Sequence, residues 1–183
     1  MKIKAGRPVR LFVFDIENKP GTYGPGDYTH PKVTAVGWQF LGEDEPDGLA
    51  FNRRSRLSMR RNAERFRALW DAADIVIGHN IRRHDKRLLD GFYTTLDLPL
   101  LAHKAMVDTY LDLPRMEGLS RSLENLAGRW ESPIPKMQMP EHAWEAAYDG
   151  VPEYVERMRQ RAITDVQISV WLYHELRRRG LLA

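Results

Sequence analysis

The run VRLFVFDIE, residues 9–17, constrains this chain most. Its strand formers are apolar almost without interruption, the pattern of a central strand covered on both faces rather than one half-open to water. Such a strand needs a packed layer on each side. The rest of the chain has to supply helices for both.

The expected helices and strands follow in order. KVTAVGWQF (32–40) is expected to form a second strand, with a short third near GLAFN (48–52). Met59, Ala63, Phe66, Trp70 and Ala73 recur at spacings of three and four, which predicts an amphipathic helix over 59–73. DIVIGHN (74–80) is a buried strand with a polar exit, and IRRHDKRLLDGFY is expected to continue it as helix. AMVDTY is a short strand, and SLENLAGRW a short helix ending at a glycine. SPIPKMQMPEHAW (132–144) carries no periodicity and is expected to be irregular. One long helix is predicted from Pro152 to Arg179, with Pro in its first turn and Gly180 after its end. Strands first, then strand alternating with helix, predict an α/β layer around a mixed sheet. With 183 residues and no linker-like stretch, residues 1–183 are expected to form one domain.

Composition excludes several chemistries. There is no cysteine, so thiol nucleophiles, Cys-ligated zinc and iron–sulfur clusters are ruled out. LFVF is too short for the apolar core of a signal peptide, and no apolar run approaches a membrane span, so a cytoplasmic protein without membrane contact is expected. The net charge of +3 is unevenly placed: residues 53–67 hold seven arginines and one glutamate, leaving the remainder net negative. Either this block is a solvated helix face, or it binds a polyanion while an acidic site lies elsewhere.

Three elements each place a carboxylate where apolar residues are expected. Asp15 and Glu17 stand two apart at the end of the first strand and therefore project from the same face. Asp85 shares a stripe with Ile81, Leu88, Leu89 and Phe92. In the last helix, Asp165 shares a stripe with Tyr154, Met158, Ala162, Leu172 and Leu176. Two of them have structural alternatives: a strand end in solvent for the first pair, and a salt bridge from Arg82 or Arg83 for Asp85. Jointly they point to one shared divalent-metal site. Oxygen-only ligands favour Mg²⁺ or Mn²⁺ over zinc.

FDIE, GHNIRRHD and ITDVQISVWLY, in this order, resemble the three motifs of the DEDD 3′–5′ exonucleases. These are ribonuclease H-like proteins that include polymerase proofreading domains and free-standing phage enzymes. The resemblance runs from about Val9 to Arg179. It implies a three-layer fold with a central mixed five-stranded sheet flanked by helices. It also implies a catalytic and metal-binding set of Asp15, Glu17, Asp85 and Asp165. Asp15, Glu17 and Asp165 would hold one ion, and Asp15 would bridge to a second ion facing Asp85. The implied activity is two-metal phosphodiester hydrolysis of single-stranded DNA or frayed ends.

Departures from the pattern leave other functions open. The family places His or Tyr four or five residues before the last aspartate, where this chain has Arg161 and Gln160. Arginine cannot serve as a base. Arg161 can instead pair with Asp165 or contact phosphate, and His142 is a candidate substitute base. Asn18 replaces the usual Thr, Asn80 is shared with the family, and both are candidate substrate contacts, with Arg161 as a third. His84 and the tryptophans Trp130, Trp144 and Trp171 are expected to pack. Tyr23 and Tyr28 could stack on bases, and Asp108 could support the site or cap a strand end. The alternative functions are a nucleic-acid-binding module with weak or lost nuclease activity and a ribonuclease H-like endonuclease.

Overall fold

Strand β1 (Leu11–Asn18) lies mid-sheet, antiparallel to β2 (Val33–Phe40) and parallel to β4 (Ile75–Gly78). β3 (Asp47–Ala50) extends the sheet beyond β2 and β5 (Ala105–Asp108) beyond β4, giving the order β3-β2-β1-β4-β5. This is a computed structural model that describes residues 7–20, 30–43, 45–116 and 118–182. None of its helices is long and apolar enough to cross a membrane among these residues.

The alternation of β1 separates two cores. Phe12, Phe14 and Ile16 join an aromatic cluster with Phe66 and Trp70 of helix α1 (Arg56–Ala72) and Leu88 and Phe92 of α2 (Asp85–Thr95). Each fully buried side chain of this size contributes about 1.5–3 kcal/mol. Val13 points the other way, into a cluster with Val166 and Tyr173 of the long helix α5 (Pro152–Arg178). Asp15 and Glu17 continue the Val13 row, so the pleat aims both carboxylates at the α5 side.

α5 comes close because β2 is nearly bare on that face. A Cβ placed on Gly37 would sit 2.4 Å from the carbonyl oxygen of Ala162, inside contact distance of the helix backbone. Ala35 and Ala162 complete the small-residue contact, both fully buried. Gly37 is also the register partner of Asp15. The same close approach therefore sets how far the helix bearing Asp165 stands from β1.

Several boundaries differ from expectation. α1 starts at Arg56, three residues early, because Ser55 caps it by accepting from the Ser58 amide at 3.1 Å. α2 does not continue from the strand. Asn80 adopts a left-handed φ of 62°, its carbonyl accepts from the Arg83 and His84 amides, and the helix begins only at Asp85. α3 (Leu123–Arg129) runs through Gly128 rather than ending there. The aperiodic stretch 132–144 ends inside a short helix, α4 (Ala143–Tyr148), and α5 stops at Arg178.

Most arginines of the block remain exposed at the surface and are partnered by acids and carbonyls of this chain. Arg53 pairs with Asp149 at 2.7 Å, Arg54 donates to the Asp149 carbonyl at 2.8 Å, and Arg56 pairs with Asp97 at 2.7 Å. Arg60 donates to the Leu96 carbonyl at 2.7 Å, while Arg65 and Arg67 face Asp47 and Asp71. Among the described residues, Arg61 alone of the seven makes no such bond. Most of the block ties α1 to the ends of α2 and α4.

Candidate metal centre

Asp15, Glu17 and Asp165 meet where β1 ends against α5. Each offers an oxygen such that all three lie within 4.8 Å of one another. Together with Asp85 they line one open cleft of about 340 Å³. Two of the four come from the β1 pleat, one from the apolar stripe of α5 and one from the first turn of α2. Asp85 is 3% exposed and opens α2.

Three side chains already engage Glu17 and Asp165. Arg161 donates from Nε to Glu17 Oε1 at 2.5 Å and from Nη1 to the Met137 carbonyl at 2.5 Å. Trp144 donates from Nε1 to Glu17 Oε2 at 2.9 Å. Lys136 Nζ lies 3.4 Å from Asp165 Oδ2, with Arg161 Nη2 behind it at 3.9 Å. Asp165 Oδ1, by contrast, is buried and accepts no hydrogen bond from any described residue. A buried carboxylate oxygen without a donor is costly, and a cation in the cleft would satisfy it.

The electrostatics point the same way. Burial raises the Asp15 carboxyl well above its ordinary range, and Asp85, Asp165 and Glu17 push it further up against a smaller opposing pull from Lys136. Burial also raises Glu17, against Arg161 and Trp144, which lower it. Asp165 is raised by burial too, with Lys136 and Arg161 opposing. The two internal cations therefore leave the carboxylates short of counter-charge. The donor set is all oxygen, as hard divalent cations prefer, so these residues fit such an ion.

No family model and no curated protein matches the chain. A solved structure does: a family B DNA polymerase from the hyperthermophilic archaeon Pyrobaculum calidifontis, with a TM-score of 0.69 at 19% identity. The match covers 93% of this chain and 25% of the polymerase chain, so the protein spans about a quarter of that chain's length. The fold is ribonuclease H-like. The mixed five-stranded sheet flanked by helices agrees with what the motifs implied, and the comparison establishes fold alone.

The structure sorts the other candidate residues. Asn18, Asn80 and Arg161 all line the cleft. His142 is exposed, bonds the Tyr154 hydroxyl at 2.7 Å and is not among the residues lining the cleft. His84 lies with Nδ1 3.5 Å from Asp85 Oδ2, and this contact raises its pKa. Arg82, a suggested partner for Asp85, pairs instead with Asp112 and Asp108. Trp130 and Trp171 pack as expected, whereas Trp144 packs and also bonds Glu17. Tyr23 and Tyr28 lie outside the described residues.

Sequence reasoning missed Lys136, Trp144, His79 and Gly37. Lys136 lies in an aperiodic stretch that offers no local signal. The indole N–H of Trp144 had to find a buried acceptor, but its identity is not legible locally. His79 lines the cleft, shares a hydrogen bond between Nδ1 and Thr109 Oγ1 at 2.9 Å, and is lowered by burial to about 4.

Asp108 builds the wall that carries Asn80. Fully buried, it accepts from the backbone amides of Asn80, Arg82, Tyr110 and Leu111 at 2.8–3.2 Å. It is both a strand-end cap and a support for the cleft. Asp108→Ala leaves those amides without their acceptor and is expected to cost about 3 kcal/mol or more. Urea unfolding checks this, and a loss under 1 kcal/mol would show that water replaces the carboxylate.

Proposed function

We propose that the protein is a divalent-metal-dependent 3′–5′ exonuclease acting on single-stranded DNA or frayed ends. The observation that carries this reading is the buried, unpartnered Asp165 Oδ1, set among acidic side chains that face one open cleft. Asp15, Glu17 and Asp165 would hold one Mg²⁺ or Mn²⁺ ion, and Asp15 with Asp85 a second. When bound, such ions acidify water and stabilise the departing 3′ oxygen.

The remaining work falls to the chain. Asn18 and Asn80 line the cleft and are the candidate contacts for the strand. Asp108 holds the Asn80 turn in place. Arg161 offers no base, and burial lowers the His79 pKa to about 4, which leaves its imidazole a weak one. With no strong base among these residues, acidification of water is the chemistry that a bound divalent ion would have to supply.

Arg161, held on Glu17, favours a second reading: a nucleic-acid-binding module with weak hydrolysis. A 5′-labelled single strand incubated with Mn²⁺, with products resolved by length, separates the possibilities. A ladder shrinking from the 3′ end is expected. Binding without products would support the module, and internal cuts would support a ribonuclease H-like endonuclease. A matched RNA strand run in parallel identifies the preferred sugar.

A further inference from the structure

Glu17 and Asp165 are both carboxylates of the candidate centre, yet the protein treats them differently. Both oxygens of Glu17 are occupied, one by Arg161 Nε and one by Trp144 Nε1. Asp165 retains a buried oxygen with no donor among the described residues. Arg161 is itself anchored, through Nη1 on the Met137 carbonyl and by a guanidinium 5.3 Å from the centre of the Trp144 ring. Its side chain is 14% exposed. A permanent cation thus sits inside the carboxylate group, one helical turn from Asp165 and bonded to Glu17.

We propose that Arg161 is a resident counter-ion that competes with the divalent metal for Glu17, so that metal loading is an exchange in which the guanidinium gives up Glu17. This rests on the metal-centre reading above. The physical ground is charge at short range. Guanidinium is charged at every working pH, and a divalent ion bound by Glu17 and Asp165 would lie within a few ångströms of it, in a cleft that screens poorly. Each carboxylate oxygen keeps a second lone pair, so the exchange weakens metal binding without abolishing it. Lys136 adds to the repulsion but, among the described residues, its ammonium touches Asp165 alone and has no second anchor. The released guanidinium faces the cleft, where a phosphate can replace Glu17 as its partner.

Mn²⁺ affinity of the whole protein tests this without any assay of hydrolysis. Free Mn²⁺ is followed by electron paramagnetic resonance, and metal-induced shifts in Tm provide a second readout. Arg161→Gln is expected to bind Mn²⁺ at least tenfold more tightly than wild type. Arg161→Lys, which keeps the charge, is expected to stay within about threefold of wild type. Equal or weaker binding by Arg161→Gln overturns the exchange and leaves the metal centre standing. Absence of Mn²⁺ binding in both proteins overturns the metal centre and the exchange together. If Arg161→Gln does not fold, the wild-type Nε–Hε resonance, assigned with Arg161→Lys, is titrated with Mg²⁺. A saturable shift supports release from Glu17, and an unmoved resonance overturns it.

Discussion

Asp15→Asn is expected to abolish hydrolysis, by roughly 10³-fold or more, while making the metal-free protein more stable. The rate loss is on the scale of removing a group that stabilises charge in the transition state. The gain in stability follows from the surroundings of Asp15, where burial and three neighbouring acids disfavour its charged form. Asparagine keeps the shape and removes the charge. A Tm that falls in the absence of metal would instead make Asp15 part of a structural ion pair.

The pH dependence gives a second check on the same variant. The folded protein raises the Asp15 pKa, so it binds more protons than the unfolded chain between the ordinary carboxylate range and that raised value. Metal-free stability must therefore fall as pH rises through this window. His79 acts in the opposite sense: its pKa drops from 6.5 to about 4 on folding, so stability is lost as pH falls through that interval. In Asp15→Asn the first slope is reduced and the His79 slope remains. The Tm advantage of the variant in EDTA is thus expected to grow with pH and to vanish in acid. A constant difference would contradict the raised Asp15 pKa.

Gly37→Val is expected to destabilise the protein by about 3 kcal/mol or more. The first added carbon would lie 2.4 Å from the Ala162 oxygen and 2.8 Å from the Ile163 nitrogen. Both are helix backbone, so no flexible side chain can yield, and overpacking of this kind is costly. Any relief requires α5 to withdraw from β2, which carries Asp165 away from Asp15. Surviving folded protein should therefore also bind Mn²⁺ more weakly. Gly128→Ala serves as the control, since a Cβ there meets nothing within 4 Å and lies within α3. It is expected to be neutral, or to stabilise by up to about 1 kcal/mol. Similar losses in both variants would remove the close-approach argument.

Local periodicity carried much of this molecule. The period-2 row through Leu11, Val13, Asp15 and Glu17 determined that both carboxylates share a face, because alternation is a property of any strand. The 3.6-residue stripe of α5 placed Asp165 inward for the same kind of reason. The order of strands and helices likewise determined an α/β layer. Other features depend on residues far apart in the chain. The α2 start at Asp85 is set by a left-handed Asn80 whose amide bonds Asp108, 28 residues on. Lys136 and Trp144 come from a stretch without periodicity, so only packing against α5 could bring them to the site. Sequence spacing pointed Arg161 at Asp165, one turn along its own helix, or at phosphate. The fold bonds it to Glu17, 144 residues away, because the small residues of β2 let α5 settle against the sheet beside the end of β1.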